Sequence, residues 1–377
     1  MSITLLKKKS IKTVRFSESE LSEFSQTLRS RVYAHFKSTG RSKYATPSMV
    51  VKTVILVSLY LVPLALITLG VASTTFQMFA CFFLSGLGMA GVGMGVMHDA
   101  IHGSYSKNLL VNKWVGHTLD MVGASSIVWK LQHNVLHHSY TNIDDHDDDI
   151  NAPFFLRFSP NAPQNNLHKY QHLYAWFFYS LSTLSWVTVK DFIRLKRYYE
   201  KGLIKNKQEY RKNVLKILAW KIGYFSIILG LPLIFAPFSV GMLLLGYIMM
   251  HFVTGFTITM VFQIAHIVED VDFPIPDSEG VVEGERILHQ LATTCNFAPN
   301  NKFLFWFIGG LNYQVEHHLF PDICHVHYRE IAPIVKATAE EFNIPYHSKP
   351  HFLSAVFDHF KMLYVLGNMP KVEPVKA

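Results

Sequence analysis

The sequence predicts an all-α integral membrane protein with two transmembrane helical hairpins, four spans in all, and a cytoplasmic helical cap that holds a histidine-rich site. Three observations lead to this fold class: the composition, four long apolar runs, and histidines gathered into clusters. Half of the 377 residues are hydrophobic and only 16% are charged, whereas soluble domains have about a quarter charged residues. The deficit of charge indicates a surface that faces lipid.

The net charge and the cysteines indicate the kind of partner and the redox compartment. A net charge of +8 is compatible with nucleic acid or with anionic lipid, but the apolar content favours lipid head groups, so we expect a bilayer partner and no nucleic acid. Cys81, Cys295 and Cys324 have no pairing or metal-like spacing, which is typical of a reducing compartment. The polar N-terminal region shows no cleavable signal peptide.

The four apolar runs, at about 51–71, 75–97, 214–235 and 239–262, are long enough to cross a bilayer, which takes about 20 helical residues. Only a few residues separate the members of each pair, so we expect two hairpins. The small residues of GLGMAGVGMG predict close helix packing. A fifth run, 173–189, is short and contains several Ser and Thr residues. Because another span there would separate the histidine clusters, we expect an interfacial or re-entrant helix.

Basic residues predict the orientation. Eleven Lys and Arg residues lie in 1–52 and ten in 190–216, while the hairpin turns have none. By the positive-inside rule, the site and both termini are expected on the cytoplasmic side. We divide the chain into a mobile basic N-terminal arm (1–45), with one amphipathic helix around ESELSEFSQTLRSRVYAHF, a membrane domain (46–345) and a cytoplasmic C-terminal tail (346–377).

Two histidine clusters have the spacing of metal ligands. HDAIH supplies His98 and His102 directly after the second run, and histidines four residues apart share one helix face and can reach the same ion. In HNVLHH, His133 and His137 are predicted to share a face, while His138 is turned by about 100° and can serve a second ion. This arrangement favours two ions with shared walls.

A third cluster, QVEHH, contains His317 and His318 and is led by an amide. Gln314 lies one helical turn before His317, where it could be a weak oxygen ligand or a hydrogen-bond donor to metal-bound water. Imidazole suits Zn, Cu, Fe and Ni, while structural zinc often takes cysteine, and none lies near these clusters in the sequence. So many histidines favour a dinuclear centre, and a pair of irons that activates dioxygen is favoured over a two-zinc hydrolase.

HDAIH, HNVLHH and QVEHH resemble the three histidine boxes of the membrane fatty acid desaturases. The resemblance extends over about residues 45–345 and includes HHSYTNIDDHDDDI, CNFAP and GGLNYQVEHHLFP. It implies two iron ions, O2 as co-substrate, and a further histidine ligand near the end of the fourth span, which His266 matches. The expected metal site is therefore His98, His102, His133, His137, His138, His266, His317 and His318, with Gln314 as an additional contact to metal or to metal-bound water.

The resemblance also implies the activity of a fatty acyl desaturase, which removes two hydrogens from adjacent carbons of a long acyl chain and leaves a cis double bond. The glutamine that leads the third box resembles the front-end subgroup, which places a double bond between an existing one and the carboxyl end. The alternative is a di-iron hydroxylase or other oxygenase of lipid chains. A metal-sensing transporter would need polar groups inside the spans, which contain almost none.

The expected partners follow from the same resemblance. The substrate is an acyl-CoA or an acyl-lipid, and its carrier, chain length and double-bond position stay open, as does the oligomeric state. Many front-end members carry a fused cytochrome b5 domain with an HPGG-type haem motif, which this sequence lacks. Two external electrons are therefore expected from a separate donor, either ferredoxin or cytochrome b5 with its reductase.

Carboxylates close to the boxes are candidates for supporting the ligands. A carboxylate that accepts the N–H of a ligating imidazole fixes its tautomer and raises its basicity. Asp99, inside the first box, and Asp148, in the acidic run DDHDDD, are the residues expected to do so.

The sequence around the other histidines indicates their roles less clearly. His251 lies inside the fourth run and is expected to be a packing or channel residue. For His117 and His289, a contact with a ligand and an ordinary surface position stay open. His325 and His327 follow a proline and are expected in an exposed segment.

Overall fold

The structure, a computed structural model, describes residues 14–18 and 21–369. Its first α-helices are α1 (Glu23–Thr39), α2 (Pro47–Thr68), α3 (Thr75–Gly95), α4 (Met97–His102), α5 (Leu109–Gly116), α6 (Thr118–Met121), α7 (Ser126–Lys130) and α8 (His138–Tyr140). They are followed by α9 (Gln171–Ser185), α10 (Asp191–Glu200), α11 (Lys207–Phe225), α12 (Leu231–Phe235), α13 (Val240–His266), α14 (Arg286–Ala292), α15 (Lys302–Phe307), α16 (Gln314–Leu319), α17 (Tyr328–Glu341) and α18 (Phe352–Asn368).

Other regular elements are short. π-helical segments at Leu131–His137, Trp186–Lys190 and Ser226–Gly230 join neighbouring α-helices, and 3-10 turns occupy Asn166–Tyr170 and His325–His327. Strand β1 (Arg15–Phe16) pairs in parallel with β2 (Val281–Val282), and β3 (Asn296–Phe297) pairs in parallel with β4 (Ser348–Lys349). The described part of the chain is therefore mostly helical, as expected, with two minimal strand pairs added.

Four helices are long and apolar enough to cross a membrane: Pro47–Thr68, Thr75–His102, Lys207–Phe235 and Val240–His266. They coincide with the four predicted runs, and their boundaries differ because helices extend beyond apolar residues. The first begins at a proline in the first helical turn, where the missing N–H has no intrahelical partner to lose. These helices fit a membrane-embedded protein.

Helix α3 lies against both α2 and α13, and small residues permit this approach. A Cβ atom on Gly88 would collide with the backbone of Tyr60 in α2, and one on Gly86 would lie 2.7 Å from the carbonyl oxygen of Met250 in α13. The prediction of close packing at the glycine-rich stretch is therefore confirmed. This packing brings the C-terminal end of α3, which α4 with His98 and His102 follows, to the same end of the structure as the C-terminal end of α13, which carries His266.

The fifth apolar run forms α9 and the π-helical segment after it, and α10 continues the same helical path. It is not among the four membrane-length candidates in the described residues. Helix α9 packs along α13, and the Thr183 hydroxyl donates a hydrogen bond to the His251 carbonyl oxygen at 2.9 Å. Its interfacial or re-entrant position relative to lipid stays a prediction.

The N-terminal region differs from the predicted mobile arm. The amphipathic helix exists as α1, and its apolar face, including Leu28 and Val32, is fully buried against α17 and its neighbours. Arg31 forms an ion pair with Glu341 at 2.6 Å. The helix is packed because its apolar face finds a matching face on the C-terminal part of the chain. Residues 1–13, 19, 20 and 370–377 lie outside the described residues.

Candidate metal centre

The histidines predicted from the three clusters come together in one buried region. Short helices position them: α4 carries the first cluster, the π-helical segment and α8 carry the second, and α16 carries the third. The last residue of α13 adds His266, which is 4% exposed. Before α16, Gly309 and Gly310 both have positive φ, 67° and 68°, a conformation that favours glycine and turns the chain toward the site.

One group of ring nitrogens surrounds a first point in this region. His98, His102, His133 and His317 each place a nitrogen within 4.8 Å of the others. The Nε2 atoms of His98 and His133 are 3.1 Å apart. His138 joins the group, since its Nε2 atom lies 3.2 Å from that of His133 and 2.9 Å from that of His317. Nitrogens about 2.1 Å from one metal ion have separations of this size.

A second group lies beside the first. It consists of His137, His266 and His318, whose ring nitrogens again lie within 4.8 Å of one another. His318 also forms a compact set with His138 and His317, so the two groups share a wall. The described residues thus include two adjacent groups of ring nitrogens that could each hold a metal ion, and the binding of two ions stays a prediction.

The division of the second cluster between these groups differs from the prediction. The Nε2 atoms of His133 and His138 lie 3.2 Å apart, while the His133 ring also stacks on the His137 ring with centroids 5.2 Å apart. The chain from Leu131 to His137 is π-helical. In a π-helix the hydrogen bonds run from residue i to residue i+5, so side chains five apart are brought onto one face. The predicted shared face of His133 and His137 is therefore present, but His138 lies beside His133 as well instead of being turned away from it.

Unpartnered ring nitrogens test whether the site fits a metal. The Nε2 atoms of His102, His137, His266 and His318 are buried and have no hydrogen-bond partner among the described residues. An unsatisfied buried polar atom destabilises a fold by about 1–3 kcal/mol, and a bound cation would satisfy each of these lone pairs. An all-imidazole donor set suits iron as well as zinc, copper or nickel.

The protonation of the rings is compatible with metal binding. Burial, and then the neighbouring imidazoles, hold the pKa values of His133, His138 and His318 well below their usual range. For His137, burial lowers the pKa, but the charge of Asp147, its hydrogen bond to the ring and the charge of Asp149 together raise the pKa overall. Neutral imidazole is the form that ligates metal.

Hydrogen-bond acceptors at the Nδ1 atoms fix the tautomers of three imidazoles. The Nδ1 atom of His137 donates to the Asp147 carboxylate at 3.0 Å, that of His266 donates to the Thr293 carbonyl oxygen at 3.1 Å, and that of His318 donates to Gln290 Oε1 at 2.6 Å. With Nδ1 protonated in this way, Nε2 is left as the ligand atom.

An apolar cavity of about 790 Å³ reaches the first group at His133. Its walls come from α3, α9, α13 and the segment around α6 and α7, and they include Met89, Leu119, Val122, Trp129, Ile258 and Phe262. Such a narrow apolar space beside a metal site is suited to a hydrocarbon chain.

Comparisons with known proteins agree with this arrangement. The profile of the fatty acid desaturase family matches residues 73–350. The chain belongs to the fatty acid desaturase family. It is 33% identical over 354 residues to the sn-1 linoleoyl-lipid 6-desaturase of Synechocystis sp., an alignment that covers 91% of this chain and 95% of that protein.

Two further relatives cover most of this desaturase. The acyl-lipid (8-3)-desaturase of Physcomitrium patens is 35% identical over 360 residues, which are 94% of this chain and 74% of that protein. The Delta(5) fatty acid desaturase A of Dictyostelium discoideum is 32% identical over 360 residues, 93% of this chain and 76% of that protein. The protein is therefore a fatty acyl desaturase, an oxidoreductase.

One carboxylate predicted to support the desaturase ligands has another role. Asp148 is buried and pairs with Arg194 at 2.9 Å and Arg197 at 3.0 Å, and Tyr198 donates to it at 2.7 Å. It contacts α10 rather than an imidazole, because neighbouring residues in the acidic loop point in different directions. The residue that contacts His137 is Asp147, one position earlier.

Asp99, the other predicted carboxylate, contacts a histidine outside the boxes. Its Oδ2 atom accepts from His325 Nδ1 at 2.6 Å and from Cys324 Sγ at 3.1 Å. The Lys52 ammonium donates to the other nitrogen of His325 at 2.9 Å. His325 and His327 are 2% and 3% exposed, so the expectation of an exposed segment was wrong, and a cysteine lies next to the first box after all.

Gln314 is 1% exposed at the start of α16. Its Nε2 donor is buried without a partner among the described residues, which leaves it available to a bound group. Its contact with metal or with metal-bound water stays a prediction.

The remaining histidines lie apart from the two groups. The Nδ1 atom of His117 donates a hydrogen bond to the Asp120 carboxylate at 2.8 Å, and its ring stacks on Trp220. His251 forms a 2.7 Å hydrogen bond with the Tyr224 hydroxyl, in agreement with a packing role. His289 is buried beside Phe16. Sequence patterns carried no signal for the contributions of Gln290 and Thr293.

Proposed function

We propose that the protein is a front-end desaturase of acyl-lipids, which uses two iron ions, O2 and two electrons from a separate donor. The observation that carries this proposal is the pair of adjacent, buried imidazole groups at the end of an apolar cavity. Desaturation of an unactivated hydrocarbon chain requires a space that admits the chain and, in contact with that space, a site for two metal ions.

The reaction converts an acyl –CH2–CH2– unit, O2, two electrons and two protons into a cis –CH=CH– unit and two water molecules. Iron would supply the O2 chemistry that side chains lack. His98, His102 and His133 would hold one ion and His137, His266 and His318 the other, with His138 and His317 nearest the first. The protein's own tasks are to fix these rings through Asp147 and Gln290, to exclude water, and to orient one C–C bond of the chain.

The front-end assignment is supported by the relatives and by one residue. The relatives are named as 6-desaturases of linoleoyl-lipid, as (8-3)-desaturases of acyl-lipids and as a Delta(5) desaturase. Desaturation between an existing double bond and the carboxyl end, on a lipid-bound chain, is the corresponding reaction here. Gln314, which leads the third cluster, agrees with the same subgroup.

The proposed topology places two helical hairpins in the membrane with the site and both termini in the cytoplasm. Helices of 28 and 27 residues, Thr75–His102 and Val240–His266, would be about 42 and 40 Å long. They exceed a hydrocarbon core of about 30 Å, so their histidine-bearing C-terminal ends would extend beyond the lipid on one side. Ten basic residues in 190–216 favour the cytoplasm for that side.

Expression in a host supplied with defined polyunsaturated fatty acids tests the proposal, with the host's donor proteins present. We expect a new cis double bond on the carboxyl side of an existing one, located by mass spectrometry of the cleaved products, in lipid-bound chains. The His137→Ala variant is the negative control. Hydroxylated chains, or a new bond on the methyl side, would contradict the assignment.

A further inference from the structure

A cation lies in the wall of the acyl cavity with no ionic partner. Lys190 is the last residue of the π-helical segment before α10 and lines the cavity together with His133. Its ammonium lies 4.9 Å from the centre of the Trp186 ring. Among the residues that the structure describes, this ammonium has no hydrogen bond and no ion pair.

The neighbouring cation in the cavity wall has an anionic partner, and Lys190 differs from it in this respect. Arg194, one turn further along, also lines the cavity but is held by Asp148 at 2.9 Å. Burial, and then the like charge of Arg194, lower the pKa of Lys190, while Asp149, Asp191 and Asp148 oppose this shift. A half-buried ammonium without its own acceptor is stabilised by an oxygen of whatever enters the cavity.

The cavity is polar at the end where Lys190 lies. Gln132, Asp149 and Asn151 also line the cavity, Gln132 donates a hydrogen bond to Asp149, and the charge of Asp149 acts on Lys190. The lining residues Met89 of α3 and Thr254 of α13 are buried. Asp149 lies 4.0 Å from the Nδ1 atom of His133, and Gln132 precedes that histidine in the chain. The polar end of the cavity is therefore next to the first imidazole group.

This asymmetry has a consequence for an acyl chain. An acyl chain has one polar end, the carbonyl carbon with its ester or thioester oxygen, and a long apolar remainder. With the polar group at Lys190 and the apolar remainder among the buried residues, the carbons close to the carbonyl would lie in the same cavity as His133. The geometry thus favours reaction near the carboxyl end.

We propose that the Lys190 ammonium donates a hydrogen bond to the carbonyl oxygen of the acyl chain and so sets the number of carbons between that oxygen and the metal centre. Lys190 is a positioning residue for the site of the double bond. This inference rests on the proposed desaturation and adds to it the substrate group that is recognised. The carbonyl is common to every acyl carrier, and a phosphate oxygen would satisfy the same ammonium, so the test separates the two.

The test compares Lys190→Met with Lys196→Met. Lys196 lies on α10, its side chain is 70% exposed, and among the described residues it forms an ion pair with Glu200 at 3.8 Å. It is not among the residues that line the cavity, so it is a matched lysine. Hydrogen bonds to charged groups contribute enough to change affinity by about tenfold or more. We expect KM to rise by about tenfold in Lys190→Met with a smaller change in kcat, and products in which the double bond is spread over neighbouring positions. Lys196→Met should behave as the wild type, and Lys190→Arg should recover much of the selectivity.

Equilibrium binding of a radiolabelled acyl ester to iron-free protein in detergent gives a second readout that needs no turnover. The same acyl chain is presented on phosphatidylcholine and on a phosphate-free galactolipid. Weaker binding of both to Lys190→Met supports recognition of the carbonyl. Weakening confined to phosphatidylcholine would overturn it in favour of phosphate. Should Lys190→Met not fold, judged by its thermal unfolding, Lys190→Gln replaces it.

Unchanged KM, binding and double-bond position in the Lys190 variants would overturn the inference. Failure of the proposed function gives a different result, because the wild type itself would then produce no alkene on the carboxyl side. The two failures are therefore distinguishable in one experiment.

Discussion

At the scale of single residues, two adjacent carboxylates in the acidic loop have separate functions. Asp147 accepts a hydrogen bond from His137, whereas Asp148 joins the loop to α10 through Arg194 and Tyr198. The sequence identified the acidic run but could not separate its members, because the loop is irregular and no periodicity fixes the direction of each side chain.

Substitutions of the two carboxylates are therefore expected to have different effects, on iron binding for Asp147 and on stability for Asp148. Asp147→Asn should lower iron retention and activity by roughly ten- to a hundredfold, which is the usual effect of removing such a partner of a ligating histidine. Asp148→Asn should leave iron affinity near that of the wild type and should lower thermal stability, since its cationic partners lose a buried acceptor. Metal analysis after dialysis and thermal unfolding of both variants make the comparison. Equal iron loss in the two variants would contradict the assignment of Asp147.

Gln314 gives a second prediction at this scale. Its buried amide nitrogen has no partner among the described residues, so Gln314→Leu, which keeps the size and removes the amide, should lower kcat by about tenfold if the amide contacts metal-bound water. Gln314→His is the companion variant. Wild-type kcat and double-bond position in both variants would mean that the amide has no part in the chemistry.

Some residue contacts could not be predicted from the sequence at all. Asp99 contacts His325, 226 positions away, and His325 contacts Lys52, 273 positions away. Only the folded chain brings such partners together. The box histidines were predictable because their spacing is local, and each cluster is on one short helical segment.

At the scale of elements, the π-helical segment Leu131–His137 positions the ring nitrogens of the second cluster within the two imidazole groups. Nothing in HNVLHH distinguishes a π-helix from an α-helix, since the extra residue per turn depends on packing. The candidate ligands could therefore be predicted from the sequence, but their division between the two groups could not.

Deleting Val135 tests the role of this segment. The deletion leaves His138 four residues after His133, on the same face of a regular α-helix. It leaves His137 only three residues after His133, which rotates that ring by about 100° and takes one nitrogen from the second group. We expect fewer than two irons per chain and a loss of activity, measured by metal analysis and product formation. Deletion of Glu279, in an exposed loop, is the control. Two irons and full activity in the Val135 deletion would show that the π-helix is dispensable.

Helix α1 is the second element that the sequence describes only in part. Its apolar face predicted an amphipathic helix, but its partner on α17 lies some three hundred residues away, as the Arg31–Glu341 ion pair shows. Local periodicity cannot reveal such a partner.

Because α1 is packed, a change on its buried face should destabilise the whole protein. Leu28 is 1% exposed, and Leu28→Ala should lower the free energy of unfolding by about 2–5 kcal/mol. Lys37→Ala, on the exposed face, should have little effect. Thermal unfolding in detergent measures both. Equal midpoints for the two variants would mean that α1 contributes nothing to stability.

At the scale of the whole molecule, the proposed topology depends on which ends of the long helices lie on the same side of the membrane. The four apolar helices were predictable from hydropathy, since about 20 apolar residues are needed to span a bilayer. The burial of the N-terminal helix was not, because it depends on contacts with the C-terminal part.

The membrane topology can be measured with a membrane-impermeant thiol reagent, applied to intact cells and to inverted membrane vesicles. In a Cys81→Ser background, Ser73→Cys, in the exposed turn between α2 and α3, should react from outside, and Glu279→Cys should react only from the cytoplasmic side. Reaction of both positions from the same side would contradict the hairpin arrangement.

The central claim is that two adjacent groups of imidazoles hold two irons. The most direct measurement is the iron content per chain of the purified protein, with the His137→Ala variant beside it, together with desaturation by the same samples. The account predicts about two irons per chain in the wild type, and loss of metal and of activity in His137→Ala. Full iron content and full activity in that variant would contradict it.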